Sequence, residues 1–394
     1  MTTTVIVTDG EQRVALAVVR SLGTAGYRCV VASSLRASIA GASRFAARSV
    51  MVPDSLSRPT AFADAIAAVA TAEHATVVLP ISEQALLAIV PIRDRLLPAV
   101  VPFPDVESIR IVADKQRLLR EASKLGIAVP HQVVLSAPKA FGAIDPLALQ
   151  FPVILKPARS VSEIRDVRVK QSVSYASGAE ELRRKIDALS PAAFPLLLQE
   201  RIVGPGIGIF MLLWDGELRA EFAHRRLCEK PASGGVSVYR ESIAMDDDLR
   251  ERSRNLLNRF GWFGPAMVEY KRDSATGRAY LMEVNGRFWG SLQLAIDSGV
   301  DFPQLLVRCA LGQPSERIHS YRVGVRSRWW WGQVDHLVGR VGSRAPLPPA
   351  TVSAPRALGD LLLGAFRRSD YEEVLRWDDP RPFWNETIRW IGGK

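Results

Sequence analysis

The stretch YLMEVNGRFWGS, residues 280–291, places a carboxylate and an amide two positions apart in a run that otherwise resembles a β-strand. Alternate residues of a strand point to the same face, so Glu283 and Asn285 should lie side by side. A second strand-like run precedes this one, and the turn-rich segment DSATGR, 273–278, separates the two. This arrangement predicts a β-hairpin.

If the hairpin is centred near Thr276, Glu269 on the first strand lies opposite Glu283 on the second. Opposed side chains are about 4.5–5.5 Å apart at Cβ, so two carboxylates would repel each other unless a cation lay between them. Together with Asn285 they offer oxygen donors, which Mg²⁺ binds alongside phosphate oxygens. The hairpin therefore either holds magnesium and a nucleotide phosphate, or is exposed with solvated acids.

The composition is that of a globular protein with two or three domains. The 394 residues are 47% hydrophobic and 23% charged, and the formal net charge is +10. This charge could attract anionic small molecules, nucleic acid or a membrane surface, and it does not choose between them. The three cysteines are too widely spaced for a disulfide framework or a cysteine zinc site. With no signal-peptide pattern and no apolar run of about 18 residues, we expect a cytoplasmic protein without a membrane-spanning helix.

The N-terminal part alternates strand and helix patterns. TVIVTD (4–9), RCVVASS (28–34) and ATVVLPISE (75–83) are short apolar runs, and a helical pattern covers residues 12–25. Strands that alternate with helices predict a parallel sheet. No G-x-G-x-x-G follows the first strand, so the sheet is a scaffold or a substrate wall rather than a standard dinucleotide site.

Two further segments carry chemistry. DKQRLLREASKLG, from residue 114, predicts a helix capped by Asp114, and FPVILKPARS (151–160) is an apolar strand that contains one lysine, Lys156. A lysine in a buried strand needs an anionic partner or water, which a salt bridge or an anionic ligand would provide. FPLLLQERIVGPGIG (194–208) is another apolar strand, and it leads into a Gly/Pro-rich segment whose backbone could contact a planar base.

The order of these motifs resembles the ATP-grasp superfamily, in particular the branch of the carbamoyl phosphate synthase large subunit and biotin carboxylase. The matching elements are Asp-Lys before a helix, Lys-Pro on a strand, Gln-Glu-x-Ile-x-Gly, and Glu-x13-Glu-x-Asn-x-Arg, within residues 1–310. The resemblance implies an α/β ATP-grasp fold with an N-terminal parallel-sheet domain at 1–112. It also implies an ATP-grasp domain at 113–314, which contains a small lid part at about 128–198. A C-terminal extension would occupy residues 315–394.

The resemblance also assigns roles to single residues. Lys115 and Lys156 would contact the ATP phosphates from the two halves of the clamp, and Arg287 would face the reacting phosphoryl or acyl group. The adenine would meet the run Gln199, Glu200, Arg201 and Ile202. Two Mg²⁺ ions, or Mn²⁺ in their place, would be ligated by Glu269, Glu283 and Asn285.

The strand AHRRLCEKPASGGVSVYRES (223–242) would line the substrate cleft. Arg225 and Arg226 cannot share a face of this strand, so one should meet the substrate carboxylate or ATP while the other pairs with an acid. His224 is either a base for the attacking amine or a packed side chain. SGGVS (233–237) is either a mobile lid or an ordinary turn.

The implied activity is that of an ATP-dependent carboxylate–amine ligase, which forms an acylphosphate and releases ADP and phosphate. Its partners would be a small carboxylate and an amine, without nucleic acid or membrane insertion, and a homodimer is left open. The alternatives are a bicarbonate-activating carboxylase or carbamoyl phosphate synthase-like enzyme, an ATP-binding sensor without turnover, and, from charge alone, a nucleic-acid-binding protein.

The sequence departs from the family at two points and adds a distinct C-terminal region. No glycine follows Lys156 until Gly178, so Arg159 would replace the usual glycine-rich phosphate loop, and Ile207 occupies the position of a ribose-binding carboxylate. Six of the nine tryptophans lie beyond residue 320. Three of them are consecutive and cannot share one helix face, so we expect them to pack on the core rather than anchor the protein to a membrane.

Overall fold

The computed structural model of the protein describes residues 3–145, 149–164, 167–231, 235–314, 316–342, 359 and 370–393. Its N-terminal domain is a parallel sheet flanked by helices. The strands are β1 (Thr4–Val7), β2 (Arg28–Ser33), β3 (Ala46–Met51) and β4 (Val77–Leu79), in the order β3-β2-β1-β4. The helices are α1 (Arg13–Thr24), α2 (Pro59–Ala72), α3 (Glu83–Ile89) and α4 (Val106–Ala113).

The central strand β1 of the N-terminal sheet is apolar on both faces, which is typical of a parallel sheet covered by helices. Val5, Ile6 and Val7 are completely buried, as expected for a central strand covered by helices on both sides. Each strand pair in this sheet is parallel, so the predicted α/β architecture is confirmed. The first helix runs from Arg13 to Thr24, within one residue of the predicted bounds at each end.

A second, smaller unit contains four antiparallel strands. Helix α5 (Lys115–Lys124) leads into it, and its strands are β5 (Gln132–Leu135), β6 (Val153–Pro157), β9 (Ser174–Ala176) and β10 (Leu196–Gln199), in the order β5-β10-β6-β9. A separate hairpin, β7 (Val161–Ile164) and β8 (Val167–Lys170), follows β6. Helix α6 (Ala179–Asp187) packs its buried Leu182 and Ile186 on the small sheet, which thereby gains its own apolar core.

The largest sheet has seven strands and carries most of the site. They are β11 (Gly206–Trp214), β12 (Glu217–Lys230), β13 (Val236–Ser242), β14 (Gly264–Arg272), β15 (Ala279–Asn285), β16 (Arg326–Arg328) and β17 (Asp370–Glu372), in the order β15-β14-β11-β12-β13-β16-β17. Helices α7 (Asp247–Arg259), α8 (Leu292–Ser298) and α9 (Phe302–Ala310) connect or cover them. Buried aromatic rings, including Phe210, Phe222 and Trp289, fill the core beneath this sheet.

The C-terminal residues extend this sheet and contact the N-terminal domain. Strand β16 pairs with β13, β17 pairs with β16, and α10 (Trp330–Gly342) and α11 (Arg381–Ile391) complete the segment. The proline-rich stretch at 343–355 lies outside the described residues. None of the helices in the described ranges has the length and apolar character needed to cross a bilayer.

A buried ion pair joins the two ends of the chain. Arg20 of α1 donates from Nε to Asp379 Oδ2 at 2.9 Å, and its other nitrogens donate to the backbone carbonyls of Glu373, Val374 and Asp379. Ser43 Oγ also donates to Asp379, at 2.7 Å. The side chains of Arg20 and Asp379 are only 9% and 1% exposed, so neither charge has water as an alternative partner.

We predict that Asp379→Ala lowers the free energy of unfolding by about 3 kcal/mol, because it leaves the Arg20 guanidinium buried without its counter-ion. Urea denaturation measures this loss. The matched control is Asp64→Ala, which breaks the Arg95–Asp64 pair whose two side chains are each 55% exposed. The control should cost less than about 1 kcal/mol. Equal losses in the two variants would contradict the structural role given to the Arg20–Asp379 pair.

Candidate functional site

The predicted hairpin is present, with the predicted register. Strands β14 and β15 are antiparallel, and Glu269 is paired directly with Glu283, while Asn285 lies opposite Met267. The turn is closed by the Asp273 carboxylate, which accepts a hydrogen bond from the backbone N–H of Thr276 at 2.8 Å. A register shift follows immediately after Glu269. The local sequence therefore places two acidic side chains opposite each other.

Cationic side chains from three other elements compensate these carboxylates. Lys156 Nζ, from β6, lies 3.5 Å from Glu283 Oε2 and donates to the Met282 carbonyl at 3.1 Å. Lys115 Nζ, at the start of α5, lies 4.0 Å from the same carboxylate oxygen. Arg226 of β12 contacts Glu269 Oε2 at 2.5 Å. Helix α5, the small sheet and the large sheet thus converge on one hairpin.

Burial and these ion pairs set the protonation of the site. Burial acts to raise the pKa of Glu283, but Lys156 and Lys115 outweigh it and hold that pKa at about 2. Burial raises the pKa of Glu269, and the adjacent Arg226 opposes the shift. Burial lowers the pKa of Lys156, an effect that Glu283 opposes. Glu283 is therefore ionised at neutral pH, and Lys156 and Lys115 partly balance its charge.

Asn285 and Arg287 continue the polar chain beyond Glu283. Asn285 Nδ2 donates to Glu283 Oε1 at 3.2 Å, and Arg287 donates to Asn285 Oδ1 at 3.0 Å. Only glycine fits at position 286 between them, because a Cβ there would lie 2.2 Å from the Trp262 ring and clash with it. The motif Glu-x-Asn-Gly-Arg thus holds three polar side chains in one hydrogen-bonded row.

These groups face a cavity of about 740 Å³ between the small sheet and the large sheet. Most of the predicted site residues line it, namely Lys156, Gln199, Arg201, Ile202, Arg226, Glu269, Glu283, Asn285 and Arg287. Lys115 is connected to the cavity through its contact with Glu283. The structure therefore brings together residues that are spread over 173 positions of the sequence, from 115 to 287.

Besides Lys115, two of the predicted site residues do not line this cavity. Glu200 accepts a hydrogen bond from the backbone N–H of His131 at 2.7 Å and borders a separate, smaller pocket. Arg225 pairs with Glu241, directly opposite it on β13, at 2.6 Å. Arg226, on the other face of β12, binds Glu229 and Glu269 instead. As predicted, the two neighbouring arginines point to opposite faces, and it is Arg226 that reaches the cavity.

His224 also lines the cavity but is packed among apolar rings. Its side chain is 1% exposed and lies edge-on to Phe210, with ring centroids 4.7 Å apart. Neither ring nitrogen has a hydrogen-bond partner among the described residues. Burial, reinforced by the nearby Arg226, lowers its pKa well below the usual value. His224 is therefore a neutral, packed side chain at neutral pH.

The segment after Lys156 forms a hairpin where the family has a glycine-rich loop. Arg168 on β8 fixes this hairpin to the N-terminal domain by donating to the carbonyls of Gln84 and Leu87 at 3.0 and 3.1 Å. Arg159 pairs with Asp114 at 3.2 Å and does not line the main cavity. Ile207 is buried on β11. Of the predicted lid at 233–237, Ser233 and Gly234 lie outside the described residues.

The sequence analysis missed part of the cavity wall. Residues from both ends of the chain line it, including Glu11, Arg13, Trp329 and Glu386. Glu11 could have been found, because it follows β1, and ligands of open parallel sheets bind beyond the carboxyl ends of the strands. The C-terminal pair gave no such signal, since their positions depend on contacts with distant residues.

The metal-ligand assignment to Glu269, Glu283 and Asn285 stays a prediction. Within the described ranges, no group of three or more His, Cys, Asp and Glu side chains has the arrangement of a metal site. The third predicted ligand, Asn285, would bind through an amide oxygen, so it does not count toward a group of His, Cys, Asp and Glu side chains. The two carboxylates and Asn285 nevertheless provide the hard oxygen donors that magnesium prefers.

Comparison with known proteins connects this geometry to one superfamily. The sequence model described as "ATP-grasp in the biosynthetic pathway with Ter operon" matches residues 193–331, about a third of the chain. No curated protein matches the sequence.

Several solved structures share the fold at low sequence identity. The L-amino acid ligase of Bacillus licheniformis has a TM-score of 0.61 at 16% identity, over 79% of this chain and 75% of its own. The N5-carboxyaminoimidazole synthetase of Staphylococcus aureus has a TM-score of 0.61 at 12% identity, over 83% and 82%. The biotin carboxylase of Campylobacter jejuni has a TM-score of 0.62 at 16% identity, over 82% and 74%.

At 12–16% sequence identity, these structures show only that the fold is shared. The shared fold is consistent with the family match at residues 193–331 and with the order of the site motifs. Residues 193–331 thus match an ATP-grasp family model, and the chain shares its overall fold with these three solved structures.

Proposed function

We propose that the protein is an ATP-dependent carboxylate–amine ligase that joins a small carboxylate to an amine and releases ADP and phosphate. The observation that carries this proposal is the meeting of two buried lysines with two opposed carboxylates that line one cavity. Phosphoryl transfer needs such a site, because it depends on positioning and on stabilising charge at the transferring oxygens. The biosynthetic context in the name of the matching family is consistent with a synthetic reaction.

The cavity has suitable walls for a nucleotide. Apolar side chains from the small sheet, the segment after it and the β14–β15 hairpin line it, namely Ile154, Val173, Ile202, Met267 and Met282. Gln199, at the end of β10, adds a polar group beside them. We propose that the adenine lies between these walls, with Lys156 and Lys115 towards the phosphates. Glu200 is held by the His131 backbone, so recognition of the base falls to Gln199 and the backbone near Ile202.

The donor set fits magnesium. Glu269 and Glu283 are opposed, and their carboxylates are matched by cations that could equally serve phosphate oxygens. We propose that Glu269, Glu283 and Asn285 bind two Mg²⁺ ions, the number that the resemblance to the ATP-grasp superfamily implies. When bound, the metal would neutralise charge on the phosphoryl oxygens. Arg226 and Lys156 would supply further positive charge next to the same oxygens.

The proposed chemistry has two steps. An oxygen of the substrate carboxylate attacks the γ-phosphorus, the bond to the ADP oxygen breaks, and an acylphosphate forms. The amine nitrogen then attacks the acyl carbon, phosphate leaves, and the amine loses a proton. Arg226 and Arg287 line the cavity and would bind the anionic groups during both steps. Arg225, paired with Glu241, would support the strand rather than contact substrate.

A bicarbonate-activating reaction is the second candidate, because solved structures with this fold include a biotin carboxylase. The two reactions differ in what ADP release requires. A ligase forms ADP when both a carboxylate and an amine are supplied, whereas a carboxylase-type enzyme forms ADP with bicarbonate and no amine. A sensor binds ATP and forms no ADP. Screening amino acids and polyamines for ADP formation, with and without bicarbonate, tests all three, and we expect amine-dependent release.

We predict that the stability of the protein falls between pH 6.5 and pH 5 partly because of His224. The folded state keeps this ring neutral, whereas the ring in the unfolded chain takes up a proton as the pH falls below the usual histidine pKa of 6.5. The unfolded state then binds more protons, so stability decreases as the pH falls, by at most about 1.4 kcal/mol per pH unit. Urea denaturation of His224→Phe at pH 7 and pH 5 should show a smaller acid loss than the wild type.

The control for this measurement is His319→Gln, which alters a histidine whose side chain is 47% exposed. This variant should keep the full acid loss of the wild type. If His224→Phe loses as much stability as the wild type on acidification, the neutral packed state assigned to His224 is wrong.

We predict that Glu283→Gln reduces ADP formation at least about 100-fold, as expected for the loss of a strong electrostatic contact at a phosphoryl-transfer site. The fold should survive, since the substitution relieves the repulsion with Glu269. A coupled assay of ADP release, with thermal melting as the check on folding, measures both effects. Glu251→Gln, at an exposed position of α7, is the control. Unchanged ADP formation in a folded Glu283→Gln variant would contradict the assignment of Glu283 as a metal ligand.

We predict that Lys156→Met weakens binding of a non-hydrolysable ATP analogue by tenfold or more, the usual effect of removing a charged hydrogen-bond donor. Calorimetric titration in the presence of Mg²⁺ measures the affinity. If Lys156 serves only to compensate Glu283, the variant should instead lose stability and keep its affinity for the analogue. Lys124→Met, at a side chain that is 62% exposed, controls for the change in net charge.

A further inference from the structure

The C-terminal segment supplies a carboxylate to the wall of the main cavity. Glu386 lies on α11 and Trp329 lies between β16 and α10, and both line the same cavity as the proposed phosphoryl-transfer residues. The matched family segment ends at residue 331, so Glu386 lies beyond it. This part of the wall is therefore a feature that the family match does not account for.

Only one of the two carboxylate oxygens of Glu386 has a hydrogen-bond partner among the described residues. Its Oε1 atom accepts a hydrogen bond from the Trp329 indole N–H at 2.9 Å. Its Oε2 atom is buried and has no hydrogen-bond partner among the described residues. A buried carboxylate oxygen without a donor is unfavourable, and native proteins rarely leave such an atom without a partner or a function.

The charges of Arg13, and of Arg389 on the same helix, act on Glu386 without forming an ion pair with it. Arg13 and Arg240 both form ion pairs with Glu373, and the Arg13 guanidinium lies 3.8 Å from the centre of the Trp329 ring. No lysine or arginine in the described part of the chain forms an ion pair with Glu386. It shares this with Glu11, whose carboxylate accepts from the Ser33 hydroxyl, and differs from the cavity acids Glu229, Glu269 and Glu283, each of which pairs with a lysine or an arginine.

A cationic donor would suit the unpaired oxygen of Glu386. Burial raises the pKa of Glu386, with Arg13 opposing the shift, so a bound cation would favour the ionised form. The Trp329 indole fixes one oxygen, which leaves the other as a single oriented acceptor. A protonated amine supplies both the hydrogen bond and the charge that this acceptor lacks.

Resting on the ligase function proposed above, we propose that Glu386, oriented by Trp329, is the specificity-determining residue that binds a protonated amino group of the substrate. The substrate class is thereby a cationic amine compound, such as a basic amino acid or a polyamine. The C-terminal segment would then select the substrate, while the β14–β15 hairpin and its cations carry out the phosphoryl transfer.

Matched pairs of compounds that differ in one cationic group provide the test. Lysine with norleucine, and arginine with citrulline, are titrated by calorimetry into the full-length protein with Mg²⁺ and a non-hydrolysable ATP analogue. The wild type should bind at least one cationic member tenfold or more tightly than its neutral counterpart. Glu386→Gln should abolish this preference, because the amide oxygen keeps the Trp329 hydrogen bond while the charge is lost. Asp378→Asn, at an exposed acid of the same segment, should keep the preference.

A wild-type protein without any preference for the cationic members, or a preference that survives in Glu386→Gln, would overturn the proposal. Assays of ADP formation with the same compounds separate it from the ligase proposal. Selective amine binding without ADP formation would refute ligation and leave the role of Glu386 intact. ADP formation only with the neutral compounds would support ligation and refute the role of Glu386.

Discussion

The pairing of Glu269 with Glu283 across the β14–β15 hairpin is the constraint on which the site depends. A buried and a partly buried carboxylate in opposed positions repel each other, and the structure tolerates them because Lys115, Lys156 and Arg226 lie beside them. Each cation comes from a different element, so electrostatic compensation also fixes how α5, the small sheet and the large sheet meet. The three cations that compensate the hairpin carboxylates are the same residues that would bind phosphate oxygens. Assembly of the fold and the proposed chemistry therefore depend on the same side chains.

Much of this site could be predicted from the sequence because its geometry is local. The hairpin register follows from the turn residues around Thr276, and the strand period then places Glu283 and Asn285 on one face. Lys156 stands out as the one lysine in an apolar strand, and its buried ion pair agrees with that reading. The α/β class of the N-terminal domain followed equally directly from the alternation of short apolar runs and helical patterns.

Other features could not be predicted, since they depend on register or on distant contacts. The sequence shows that Arg225 and Arg226 diverge, but only the pairing of β12 with its neighbours reveals which one reaches the cavity. Gln199 and Arg201 line the cavity, whereas Glu200 between them contacts the His131 backbone, a difference that the contiguous motif conceals. Glu386 reaches the cavity through helix packing at the far end of the chain, which no local pattern encodes.

The pairing of Arg20 with Asp379 has a consequence for how the protein is made. The two residues are 359 positions apart, and β17 joins the large sheet only at residues 370–372. During synthesis, the N-terminal domain emerges early and can bury its parallel strands, but Arg20 cannot pair with Asp379 until the 359 residues that follow it have been synthesised. Contacts of such sequence separation form late, because closing a long loop must precede the gain from its contacts. The cavity wall that contains Glu386 therefore forms late in folding, and the nascent chain cannot bind its proposed substrate before residues 370–386 have been synthesised.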